Sequence, residues 1–121
     1  MSDISKMSVE LLKSRENCPI EVNDSTFITI NNLVSKLYNT AKINNLWWYL
    51  PEICISSTDG TVLLKWQHEN RLLLVDVIED KVEYTALWGL TDKELYGEES
   101  GNIDIEKDLT ELWEWIAESI N

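Results

Sequence analysis

The chain has 121 residues, room for one domain and not for two ordinary ones, and it can bury a core without covalent staples. Ten Lys and Arg stand against 22 Asp and Glu, a formal net charge of -12, which argues against a nucleic-acid binder and against docking on anionic lipid. Hydrophobic residues at 44% and charged residues at 26% are globular rather than disordered proportions.

The two cysteines, Cys18 and Cys54, lie far apart with no C-x-x-C, so the expectation is two reduced thiols in a cytoplasmic protein. Residues 1–16 lack the apolar core of a secretory signal. No apolar run approaches the ~18–20 residues of a membrane helix.

Residues 1–24 read as a lead. Ile4, Met7, Leu11 and Leu12 fall at i, i+3, i+7 and i+8, which allows a short amphipathic helix or a loosely ordered segment ending at Asn17–Pro19. Asp24, Ser25 and Thr26 are N-cap candidates for a helix over about 26–44. Its apolar stripe is Ile30, Leu33, Val34, Leu37, Tyr38 and Ala41, and Pro51 stops any continuation.

From Ile53 the period changes to 2. Turn signals at 58–60, 69–70 and 79–80 predict strands over about 52–57, 61–68, 71–78 and 81–89. Two-residue loops pair Trp66 with Leu73, Leu64 with Val75, Val77 with Val82 and Val75 with Tyr84, all on one face. A one-residue slip would put Lys65, Asp76 and Glu83 into the core, so the register is well specified. A fifth, edge strand is expected at about 94–99. A closing helix over 105–120 is expected, capped by Asp104, with Ile105, Leu109, Leu112, Trp113, Ile116 and Ile120 inward. The predicted fold is α+β: a four- or five-stranded antiparallel meander packed on both helices, one domain over 1–121.

The stretch P-E-I-C-I-S-S-T-D-G-T-V-L-L-K-W, Pro51 to Trp66, and the closing D-L-T-E-L-W-E-W-I, Asp108 to Ile116, resemble a group of small bacterial proteins. Those carry a P-x-[IV]…[ST]-x-D-G-x-[IV]-x-[LI]-x-W hairpin between two helices. The resemblance covers about residues 26–120, supports the fold and transfers no catalytic residue.

Catalytic chemistry has little to draw on. His68 is the sole histidine and is expected as an exposed turn residue, and no phosphate-binding loop or metal spacing is present. The expectation is no enzyme, no cofactor and no metal. Trp47, Trp48 and Tyr49 read either as a helix-to-sheet joint or as ligand-stacking aromatics. Asp76 faces Glu83 across the non-core side, a like-charge pair that a nearby lysine, a cation or a basic partner would offset. That side also carries Leu63, Leu72, Leu74 and Leu87, which need a cover: the lead, a second copy or a partner.

Charge is segregated. Residues 1–75 hold 7 Lys/Arg and 8 Asp/Glu, net -1, whereas residues 76–121 hold 3 and 14, net -11. This points either to a solvated surface or to a docking face for a basic protein. In the second reading Trp115 is the aromatic anchor, a Glu111, Glu114 and Glu118 ridge meets the partner, and Asp76 and Glu83 contribute. The expected class is an acidic interaction module, antitoxin-, immunity-, inhibitor- or accessory-subunit-like, monomeric or weakly dimeric. The rival is a small-ligand-binding or enzymatic domain built on the Trp47–Tyr49 aromatics.

Overall fold

The computed structural model describes residues 24–56, 59–89 and 96–117. Helix α1 (Asp24–Ile43) is followed by β1 (Glu52–Ile55), β2 (Val62–His68), β3 (Arg71–Ile78), β4 (Lys81–Trp88), β5 (Gly97–Asn102) and helix α2 (Thr110–Ile116). The strands form one antiparallel sheet in the order β1-β2-β3-β4-β5. This is the expected α+β meander between two helices. The expectation for the lead lies outside the described residues.

The expected stripe of α1 forms, and it starts earlier. Thr26 and Thr29 are buried with Ile30, Leu33, Val34, Leu37, Thr40 and Ala41. The two threonines bind the β3–β4 loop: Glu79 N donates to Thr26 Oγ1 (2.6 Å) and Thr29 Oγ1 donates to Glu79 O (2.6 Å). This bond pair fixes the first turn of α1 to one end of the sheet. The helix ends at Ile43, within a residue of the expected end and well ahead of Pro51. Asn45 takes a left-handed φ of 58°, and Leu46 N donates back to Ala41 O at 2.8 Å. That 6→1 bond is a Schellman cap, with buried Leu46 as its apolar follower.

The hairpin register is the predicted one. Trp66 faces Leu73, Leu64 faces Val75, Val77 faces Val82, and Asp76 faces Glu83. Gly60, at φ 78°, makes the β1–β2 turn, and Asp59 Oδ1 accepts Thr61 N there at 2.9 Å. Val62, Leu64, Trp66, Leu73, Val75, Val77, Val82 and Ala86 are buried on the inner face with the stripe of α1.

Tyr84 departs from the prediction and is only half-buried, because it lies at the margin of this face beside glycine-bearing β5. The β5 strand sits at 97–102 rather than 94–99. The closing helix is also shorter than expected. Asp104 does not cap it: Asp104 Oδ1 accepts Glu106 N (3.0 Å) and Asp104 O accepts Lys107 N (3.1 Å), an isolated turn. The N-cap of α2 is Leu109, with no side-chain capping bond; Asp108 just before it accepts Thr110 N (2.9 Å) and the Thr110 hydroxyl (2.5 Å). Ile105 therefore precedes the helix, Leu112 is half-buried, and Trp113 and Ile116 are the buried pair.

Trp113 and Trp66 meet edge-to-face at 5.7 Å. Each indole donates to the connector between α1 and β1: Trp113 Nε1 to Trp47 O (3.0 Å) and Trp66 Nε1 to Tyr49 O (2.9 Å). Trp113→Ala is expected to cost about 3–5 kcal/mol in urea unfolding. Trp66→Phe keeps most of the volume but strands the Tyr49 carbonyl, so it should cost about 1–3 kcal/mol.

Candidate functional site

The connector acts as a joint. Trp48 sits between Tyr38 (5.5 Å, edge-on) and Trp113 (5.1 Å), and Tyr49 stacks on His68 (5.7 Å). His68 is thus half-buried against a ring rather than an exposed turn residue. Adjacent rings cannot all face inward, and Trp47 is the one left 51% exposed. Beside the joint is a cleft of about 520 Å³ lined by Trp48, Tyr49, Trp66, Glu52 and Lys65 among others. Trp48 Nε1 is buried with no hydrogen-bond partner among the described residues. Glu52, the cleft's carboxylate, is 81% exposed and lies 3.8 Å from Lys65 Nζ.

A second cavity, of about 420 Å³, lies between the β4–β5 edge and α2. Its construction starts with glycines. In the ladder Trp88 pairs with Gly97 and Tyr84 with Gly101. A Cβ on Gly97 would collide with the Trp88 indole, and one on Gly101 would lie 3.1 Å from the Tyr84 ring. The two rings therefore fold across the edge strand where side chains are missing. Ile103 N donates to Val82 O (2.8 Å), which carries the chain past the sheet. Lys36 of α1 donates to the Ile105 carbonyl and tethers the loop leading to α2.

Tyr84 and Trp115 are the rings that line the cavity, and around this aromatic floor stand Glu99, Asp104, Asp108 and Glu111, with Lys107 the cation among the lining residues. Tyr84 Oη donates to Glu99 Oε1 at 3.3 Å. Burial, followed by the charge of Glu99 and this bond, raises the Tyr84 pKa above its ordinary 10.0. The Thr110 hydroxyl and backbone N–H, aided by the charge of Lys36, hold Asp108 below its ordinary 3.8 despite slight desolvation. Both groups are thus in their usual forms at neutral pH, a phenol beside an array of carboxylates.

The structure divides the predicted partner-binding residues. Glu111 and Trp115 line the groove. Glu114 is exposed on α2 but does not line it. Glu111 and Glu114 lie on α2, which ends at Ile116 with Ala117 extended (φ -101°, ψ 141°); Glu118, the third member of the expected ridge, lies outside the described residues. Trp115 is not a free anchor. Its carbonyl accepts Arg71 Nη1 (2.6 Å), its ring lies 5.9 Å from the same guanidinium, and Trp88 meets it edge-on at 6.3 Å. Asp76 and Glu83 lie on the opposite face of the sheet and do not line the groove. Burial, then Glu83 and then Asp59, raise the Asp76 pKa.

Tyr84, Glu99, Asp104 and Asp108 were not expected at a site. The legible signal was G-E-E-S-G, residues 97–101, where alternation puts Gly97, Glu99 and Gly101 on one face.

Among the described residues no group of three or more His, Cys, Asp or Glu could hold a metal ion, and no helix is long and apolar enough to cross a membrane. No family model matches the chain, nor does any curated protein or solved structure.

Two outcomes are expected. Gly97→Ala should cost about 1–3 kcal/mol by displacing the Trp88 ring, seen as a changed near-ultraviolet dichroism. Asp108 has a folded-state pKa below 3.8, so its stabilisation is full above 3.8 and is lost as pH falls through the lower folded-state value. Asp108→Ala should lower the melting temperature at pH 7, and the gap to wild type should narrow across that acid range.

Proposed function

We propose that the chain is a non-enzymatic, cytoplasmic interaction module that binds a basic protein through its C-terminal half, in the manner of an antitoxin, immunity protein, inhibitor or accessory subunit. The observation that carries this reading is the groove of about 420 Å³ with an aromatic floor and four carboxylates. An arginine side chain suits it. The guanidinium lies flat against an aromatic face, and its N–H fork pairs with carboxylates at the rim. Glu99 and Glu111 approach it from the strand and helix sides. Trp115 serves as a wall of the groove, held in place by Arg71 and Trp88. Solvated rim pairs contribute ~0.2–1 kcal/mol each, so the desolvated cation in the groove supplies the larger share.

The ligand-binding alternative rests on the cleft at Trp48, Tyr49 and Trp66, where the orphan Trp48 N–H would reward a ligand with a hydrogen-bond acceptor. Its weakness is an exposed carboxylate already beside a lysine. Titrating the chain with acceptor-bearing aromatic fragments and following tryptophan emission tests it.

The preferred reading is tested by capture from the native host, then by association kinetics across a salt series. The on-rate should fall steeply as the Debye length contracts to ~8 Å at 0.15 M. Glu99→Lys with Glu111→Lys should slow association at low salt by about tenfold or more. A captured protein whose on-rate ignores both salt and this double reversal overturns the acidic-groove mechanism.

A further inference from the structure

Strand β5 ends the sheet, and the alternation of the ladder decides which of its backbone groups face outward. The two-residue turn at Glu79 and Asp80 makes Ile78 and Lys81 a bonded pair, so Lys81, Glu83, Thr85 and Leu87 turn their N–H and C=O groups to β3. Val82, Tyr84, Ala86 and Trp88 then turn theirs to β5, and the bond from Ile103 N to Val82 O (2.8 Å) has that parity. Their partners on β5 include Gly97, Glu99 and Gly101. Glu98, Ser100 and Asn102 therefore direct their N–H and C=O groups to the edge. All three are exposed, and no strand among the described residues pairs with that side.

We propose that this edge takes a sixth strand: a short, basic, extended segment of a partner protein, antiparallel to β5, with arginines at alternate positions facing the groove. The proposal rests on the acidic-groove reading and adds how the partner is held. Three observations carry it.

The first is the regularity of the edge. The ladder with β4 runs unbroken from Gly97 to Asn102, without the bulge, proline or lysine that commonly blunts an edge strand. Its guard is charge alone. Glu98 and Glu99 repel an acidic strand and admit a basic one, which in a chain of net charge -12 disfavours a second copy.

The second is where the incoming side chains fall. In an antiparallel added strand, a residue across from Glu99 or Gly101 directs its side chain to the inner face. There Glu99, Asp104, Asp108 and Glu111 outnumber Lys107. Gly101 has no side chain to intervene, and a Cβ on it would lie 3.1 Å from the Tyr84 ring. That ring thus extends over β5 towards the edge, within reach of an arginine from a strand about 4.8 Å further out.

The third is the contrast with the other edge. Ser56 N donates to Thr61 O (2.8 Å), so within β1 the residues that turn their backbone outward are Ile53 and Ile55. Neither is charged, and that edge does not select a basic chain.

The test uses the full chain and a defined probe, the dye-labelled peptide Arg-Thr-Arg-Val-Arg-Thr-Arg, followed by fluorescence anisotropy at low salt. N-methylation of its Thr and Val amides, which face β5 in the proposed pairing, should weaken binding about tenfold or more. N-methylation of its arginine amides, which face away, should weaken it about twofold or less. Ser100→Pro removes an edge N–H that makes no ladder bond, so the hairpin should persist, checked by tryptophan emission. Its affinity for the peptide should fall about tenfold, whereas Ser100→Thr should leave it unchanged. Equal affinity of the two methylated peptides, or the reverse order, overturns the proposed pairing. So does a folded Ser100→Pro that binds like the parent. If Glu99→Lys with Glu111→Lys still weakens binding in those cases, the acidic groove stands without the added strand. No binding at low salt, or binding that ignores the double reversal, overturns both. Dimerisation in sedimentation that Ser100→Pro abolishes assigns the edge to a second copy and overturns the proposal.

Discussion

Two indole N–H groups hold this fold together. Trp66 comes from the middle of the sheet and Trp113 from the closing helix, and they meet edge-to-face in the core. Each donates to a carbonyl of the irregular segment joining α1 to β1. An indole buried without a partner, or a connector carbonyl buried without one, would each cost about 1–3 kcal/mol. The two bonds satisfy both indoles, the Trp66 and Trp113 side chains being buried. They also explain how seven residues make a helix. A segment that short has no independent helical stability, because nucleation is unfavourable and only one turn follows it. Tertiary burial of Trp113 and Ile116, with Arg71 on the Trp115 carbonyl, supplies what propensity does not.

The sheet was legible because its errors would be expensive. A shift of one residue in the hairpins buries Lys65, Asp76 and Glu83 together, so alternation and loop length left one register. The closing helix was misread because its start signal is local and repeated. Asp104, Glu106 and Asp108 all resemble first-turn carboxylates, and only the Asp108–Thr110 bonds mark the real start. The end of α1 near residue 44 was legible from the apolar stripe, whereas the cap itself was not: it is made by Asn45, one of the few residues that tolerates left-handed angles. The connector was read as three aromatic side chains. Its structural role runs equally through two backbone carbonyls, which no residue identity reveals.

The groove was out of reach for a different reason. Composition locates charge along the chain, and the excess of residues 76–121 is plain there. Which carboxylates share a face depends on how β5 and the loop after it fold back. Asp76 and Glu83 are on the outer side of the sheet, whereas Glu99, Asp104, Asp108 and Glu111 gather at the inner margin. A strand of sequence G-E-E-S-G-N has no apolar alternation to announce its register. The register is set by the opposing strand, where Trp88 and Tyr84 demand glycine partners.

That edge strand also governs how the sheet edge meets other chains. A free sheet edge invites pairing by other chains, and charge on the edge discourages it. Glu98 and Glu99 put a carboxylate on each face of β5, so an approaching strand of this same acidic protein meets like charge on both sides. In the proposed function the same feature favours a basic chain, because repulsion from carboxylates is attraction for arginine and lysine. Glu99 guards the edge, accepts a hydrogen bond from Tyr84 and rims the groove. One short strand thus carries both the charge that guards the sheet edge and the two glycines that leave room for the Trp88 and Tyr84 rings.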